Sequence, residues 1–126
     1  GMSKLRLGII GVGNIGSTHF KNVVGGKCPN IVITAVADRR EVRREWVIEN
    51  FPKLKTESYE ADMPVIFNEG DELIASGLVD AILIAVPHYD HTALAIECLK
   101  LIFLWPFFIG LRDHRILSIA LLYQVA

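Results

Sequence analysis

The run Gly11-Val12-Gly13-Asn14-Ile15-Gly16 constrains this chain more than any other feature, because it separates two stretches of different apolar period. Leu5 to Ile10 is short and rich in branched apolar residues, as a strand is. From Asn14 to about Val24, the residues Ile15, Phe20, Val23 and Val24 fall at helical spacings, and Gly25-Gly26 ends the run. In the setting strand, turn, helix, a G-x-G-x-x-G sequence has a mechanism. Its first glycine permits the tight turn, its second lets the main chain come close to a diphosphate, and its third lets helix and strand pack closely. The N–H groups and positive dipole end of the helix then face the phosphates.

The alternation continues along the chain. Ile31 to Ala37 is a nearly unbroken β-branched and apolar run, of the kind required by a strand covered on both faces. Arg39 to Asn50 reads as a helix, with Val42–Trp46 and Val47–Phe51 as i,i+4 pairs and Pro52 as its stop. Lys53 to Asp62 is polar and announces no element. Val65-Ile66-Phe67 predicts a short third strand, Asp71 to Ser76 a short helix closed by Gly77, and Ala81 to Val86 a buried strand between Asp80 and Pro87. Asp90 is placed to cap a helix from His91 to Lys100. Strands that alternate with helices and are apolar throughout predict an α/β fold: a doubly wound parallel sheet of Rossmann type, in three α/β/α layers with right-handed crossovers. The 126 residues are expected to form a single dinucleotide-binding domain, residues 1–126, with no second, substrate-holding domain.

The glycine fingerprint calls for an acidic residue about 20 positions further on, at the end of the second strand. Asp38 lies 22 residues after Gly16 and directly follows the run ending at Ala37. A carboxylate there can accept both ribose hydroxyls of an adenosine and repels a 2′-phosphate, which favours NAD over NADP. Arg39 and Arg40 pull the other way, since a guanidinium at this place can stack on adenine or bind a 2′-phosphate. NADP therefore stays open.

Other classes of function are disfavoured. Thirteen Lys and Arg against fourteen Asp and Glu give a net charge of -1, which argues against a nucleic-acid binder. The four Arg and three Glu between Arg39 and Glu49 interleave as on a solvated helix face. The most apolar stretch, Leu99 to Leu111, holds Lys100, Pro106 and Gly110 and is shorter than the ~20 apolar residues a spanning helix needs, so no membrane role is expected. His88, Asp90 and His91 are close in sequence but have no fourth ligand nearby, and no metal is expected. Cys28 and Cys98 stand 70 positions apart without a CxxC pattern, and no secretory leader pattern opens the chain. Both point to reduced thiols in a cytoplasmic protein.

Taken together, Leu7 to Gly16, Ala37-Asp38-Arg39 and Val79 to Pro87 with His91 four residues on resemble the N-terminal half of the Gfo/Idh/MocA family of NAD(P)-dependent oxidoreductases. The resemblance covers about residues 4–100. Members act mostly on sugars, inositols and related polyols. The resemblance implies a cofactor site made of Gly11, Gly13, Asn14, Ile15, Gly16, Asp38, Arg39, Ala85, Pro87, His88 and His91. His19 falls where a histidine commonly follows the family's loop.

Beyond Lys100 the family pattern stops. A member would continue to a Glu-Lys-Pro turn whose lysine handles a proton, but neither Glu nor Lys occurs after Lys100, and no catalytic residue is assigned. Residues 101–126 are a divergent apolar tail with two readings. One is a genuine ending, with Leu101 to Trp105 as a strand and Leu111 to Gln124 as a helix. The other, favoured by the abrupt change in character, is a shift of reading frame near Lys100. If Leu101 to Phe108 is not absorbed as an internal strand, it leaves a sticky edge and self-association follows. The expected function is the cofactor-binding domain of a sugar- or polyol-type NAD(P)-dependent oxidoreductase, not catalytically complete. The alternative is a non-catalytic dinucleotide-binding or protein-interaction module.

Overall fold

Apolar strands and amphipathic helices follow one another in the order the periodicity dictates. The structure, a computed structural model, describes residues 4–86 and the main chain of residues 117–119. Strand β1 spans Leu5–Ile10, helix α1 Asn14–Val24, β2 Ile31–Ala37, α2 Glu41–Leu54, β3 Val65–Phe67, α3 Gly70–Ala75, β4 Ala81–Ile84 and β5 Leu117–Ile119. All pair in parallel, in the order β3-β2-β1-β4-β5. The chain winds outward from β1 through β2 to β3, then returns past β1 to place β4 on its other side. That reversal makes the carboxyl ends of β1 and β4 the switch point where doubly wound sheets bind ligands.

Each face of the sheet is covered, which is why β2 is apolar at every position but Thr34. On one face α1 and α2 bury Phe20, Val23, Val24, Val47 and Phe51 against Leu7, Ile9, Ile33 and Val36. Edge-on aromatic contacts bind this layer: Phe20 to Trp46 at 5.8 Å, Phe20 to Phe51 at 6.5 Å and Phe51 to Tyr59 at 6.2 Å between ring centres. On the other face α3 presses Leu73 and Ile74 against Ile10, Ala35, Ala37, Ile82 and Ile84. The β1–β2 ladder slips between Leu7 and Gly8, where Ile33 and Ala35 are the successive partners. The Tyr59 hydroxyl fills the gap by accepting the Ile33 N–H at 2.9 Å.

Sheet order and layers agree with the doubly wound expectation, and α2, α3 and β4 differ in detail. Helix α2 begins at Glu41 and runs through Pro52 to Leu54 rather than stopping there. Pro52 faces solvent, where water can replace its missing N–H, and burial of Phe51 holds the last turn in place. The Val42–Trp46 pair does not form a buried stripe, since Val42 is 67% exposed. Helix α3 starts one residue early because Glu69 and Glu72 make a reciprocal capping box. Strand β4 ends at Ile84 rather than Val86.

Within the stretch expected as a helix over Leu111 to Gln124, the described residues Leu117–Ile119 form β5 instead, which pairs Leu117 with Ala81 and Ile119 with Leu83. The open edge of an apolar β4 offers main-chain partners that local helical spacing does not outweigh. The helix expected from His91 to Lys100 and the strand expected over Leu101 to Trp105 lie outside the described residues.

Candidate functional site

Where β1 gives way to α1 the chain folds on two glycines, Gly11 and Gly16, that nothing larger could replace. Gly11 has φ +94°, and a Cβ on it would lie 2.6 Å from the Ala85 carbonyl oxygen. A Cβ on Gly16 would lie 1.8 Å from the Gly11 carbonyl oxygen. The third glycine thus fits the turn itself, with the helix start folded directly onto the loop. Ala85 is drawn alongside by its N–H, which donates to the Ile10 carbonyl at 2.8 Å.

Gly13 differs from the other two. It is the N-cap of α1 without a side-chain cap, and among the described residues only the Arg40 guanidinium, at 3.4 Å, approaches the place of a Cβ. The first helical bond runs from the Ser17 N–H to the Gly13 carbonyl, so the N–H groups of Asn14, Ile15 and Gly16 precede it. No acidic residue occupies the first turn. A main-chain cradle ringed by helix N–H donors is fitted to an anion such as a diphosphate.

Asp38, one residue past β2, reaches back to this loop. It is 7% exposed and its Oδ2 accepts the Val12 N–H at 2.9 Å. Arg40 supplies the other contacts. Its main-chain N–H and Nε donate to Oδ1 at 2.9 and 3.1 Å, and its Nη2 donates to Oδ2 at 3.0 Å. Burial pushes the Asp38 carboxyl pKa up, but the hydrogen bonds from Arg40 and Val12 and the guanidinium charge outweigh it. The carboxyl is held below its usual range, and the same pairing raises the Arg40 guanidinium. A carboxylate at this position is the group that can accept ribose hydroxyls.

The structure therefore brings Gly11, Gly13, Asn14, Ile15, Gly16, Asp38 and Ala85 together at the switch point. Arg39 makes an exposed ion pair between the β2 end and the α3 cap, its Nε donating to Glu69 at 2.8 Å. Pro87, His88 and His91 lie outside the described residues, and His19 sits partly buried on α1. Sequence reasoning gave the Arg40 guanidinium an adenine or a 2′-phosphate to meet; it missed the pairing with Asp38, and it missed Arg44, whose Nη1 donates to the carbonyls of Asp38 and Arg39 at 2.9 and 2.8 Å. The available signal was spacing, since an Asp side chain commonly accepts the N–H two residues on and Arg44 is one helical turn beyond Arg40. Among the described residues no group of three His, Cys, Asp or Glu could hold a metal, and no helix is long and apolar enough to cross a membrane.

Fold and loop define a Rossmann domain of the dinucleotide-binding class. Comparison with known proteins agrees: the family described as "Oxidoreductase family, NAD-binding Rossmann fold" matches residues 5–102. The chain belongs to this family, Gfo/Idh/MocA. It is 31% identical over 97 residues to inositol 2-dehydrogenase of Rubrobacter xylanophilus, covering 77% of this chain and 24% of that protein. Among solved structures it is similar to a probable dehydrogenase from Thermotoga maritima, at 29% identity and a TM-score of 0.63, covering 76% of this chain and 25% of the other. The fold also matches myo-inositol dehydrogenase of Lactobacillus casei in complex with NAD(H) and myo-inositol, at 18% identity and a TM-score of 0.61, over 77% of this chain and 26% of the other. The chain thus spans about a quarter of the length of the relatives it matches.

Proposed function

We propose that this chain holds NAD(H) for an oxidoreductase of the inositol dehydrogenase type, with a polyol as the substrate class. The observation that carries this reading is the bond from the Val12 N–H to Asp38, which sets a buried carboxylate beside the glycine turn. In this reading the N–H groups at the start of α1 hold the diphosphate and Asp38 receives the adenosine ribose. Ala85, Pro87, His88 and His91 line the nicotinamide end. Bound there, the cofactor supplies a hydride acceptor or donor, and the protein contributes placement and electrostatics. The chain's own part is to fix the dinucleotide against main chain that cannot be displaced. Proton transfer and polyol selection are assigned to none of its residues.

Calorimetric titration and thermal melts with NAD, NADH and NADP test the cofactor assignment. A dinucleotide at 100 times its Kd adds about 2.7 kcal/mol to the folded state. A melting curve unmoved by all three overturns it. Reduction of NAD with myo-inositol and related polyols tests the division of labour: the chain by itself is expected to bind without turnover, and turnover on any polyol would overturn the assignment of proton transfer and polyol selection to none of its residues.

A further inference from the structure

Two hydroxyls converge on one carbonyl at the start of α1. Ser17 Oγ donates to the Asn14 carbonyl oxygen at 3.1 Å, and Thr18 Oγ1 donates to the same oxygen at 2.8 Å. Helix formation alone does not call for them, since alanine is the better helix former and back-bonding of this kind slightly destabilises a helix. Ser17 is buried and Thr18 exposed, so burial does not account for the pair either. The Asn14 carbonyl shares its peptide plane with the Ile15 N–H. That N–H precedes the first helical bond, from Ser17 to Gly13, and is therefore left to a ligand. Two donors on the oxygen draw electron density away from the amide nitrogen across the plane, and its N–H becomes the stronger donor.

We propose that Ser17 and Thr18 are positioning residues for the diphosphate, acting through the Asn14–Ile15 peptide to sharpen the Ile15 N–H as a donor to a phosphate oxygen. This rests on the assignment of the glycine turn to a dinucleotide. Neither hydroxyl has to touch the ligand. The device suits a charged acceptor, whose hydrogen bonds are the strong ones and gain most from a polarised donor. No acidic side chain stands in the first turn of α1 to use that donor instead. Among the described residues, Thr34 and Ser76 each bond a separate carbonyl, those of Leu78 and Leu73; the doubled contact falls on the peptide beside the cradle.

NADH titration, urea denaturation and amide proton spectra of Thr18→Ala, Thr18→Ser, Ser17→Ala and the double alanine variant test the idea. Thr18→Ala exchanges an exposed hydroxyl for a better helix former, so it should unfold no more easily than the wild type. Its Kd for NADH is nonetheless expected to rise about threefold, that of Ser17→Ala likewise, and that of the double variant about tenfold. Thr18→Ser keeps the hydroxyl and should bind NADH as the wild type does. Saturation with NADH should move the Ile15 amide proton downfield, and this move should shrink in the alanine variants while those of Asn14 and Gly16 persist. A role in helix stability alone would not single out Ile15. Thr18→Ala at the wild-type Kd, Thr18→Ser weakened as much as the alanine variant, or an Ile15 move of unchanged size each overturns this proposal alone. A wild-type chain that does not bind NADH overturns the site assignment first and this proposal with it.

Discussion

The main-chain N–H of Val12 donates to the carboxylate of Asp38 across 2.9 Å, joining two residues 26 positions apart. Val12 is wholly buried, so its N–H has no water to turn to and would be orphaned without this acceptor. Asp38 is therefore a structural part of the glycine turn before it touches any ligand. Asp38→Asn puts an amide where two oxygens now receive four donors. It is expected to lower stability by about 1–3 kcal/mol and NADH affinity by about tenfold or more. Urea denaturation and NADH titration measure the two losses; a variant of unchanged stability would show that the Val12 bond contributes nothing.

The same carboxylate predicts acid lability of a definite sign. Its pKa is lower in the folded chain than in the unfolded one, so the unfolded state binds the proton more readily. The stabilisation it gives is present in full above the ordinary carboxylate range, begins to fade below about pH 4, and is lost as pH falls through the folded value. Melting temperature followed from pH 7 down to pH 2 should fall more steeply in the wild type than in Asp38→Asn. Parallel acid limbs would contradict the assignment.

Gly16 and Gly13 should separate folding from binding. Gly16→Ala drives a methyl into the Gly11 carbonyl, which lies 1.8 Å from its place, and should destabilise the chain by about 3 kcal/mol or more. Among the described residues Gly13→Ala meets only the movable end of Arg40, and it should cost less than about 1 kcal/mol. Its methyl would nevertheless stand in the cradle, so NADH affinity should drop by about tenfold or more. Equal stability losses in the two variants would refute this division of labour.

Tyr59 supports the sheet from a segment with no regular structure. Its hydroxyl accepts the Ile33 N–H where the β1–β2 ladder slips, and burial raises its pKa despite that bond. Tyr59→Phe leaves the N–H unsatisfied and should cost about 1–3 kcal/mol, with NADH affinity held within about twofold. The comparison needs one denaturation curve and one titration; an unshifted curve would mean that the slip is tolerated without the hydroxyl.

Much of the frame was legible because local signals coincided. The bounds of β1, α1, β2 and β3 follow from apolar period and glycine breaks, and Asp38 from its distance to the loop. What escaped depends on contacts remote in sequence. Tyr59 lies in a polar stretch, and only the ladder slip on β2 gives its hydroxyl a partner. Pro52 looked like a stop because its local chemistry forbids a hydrogen bond, whereas packing of Phe51 against Phe20 and Tyr59 decided the matter. Arg39 stands next to Asp38 in sequence, yet Arg40 is the one that reaches it, because the Asp side chain turns back over the N–H two residues on. Leu111 to Gln124 carried a helical period that β5 does not follow, since an open strand edge is invisible in local spacing.

The central strand is tethered within its first residues and again just past its last. At its start Arg6 grips Asp80 through Nη2 at 2.9 Å and through its own N–H at 3.0 Å, while the Asp80 N–H returns to the Arg6 carbonyl at 2.7 Å. Just past its finish Val12 is moored to Asp38. A one-residue slide would exchange the two faces of the strand and sever polar ties at both extremities at once. The interval between Ile10 and Asn14 carries one of these moorings itself, so grafting a different nucleotide loop there should leave the sheet unsheared only where a main-chain N–H still meets Asp38.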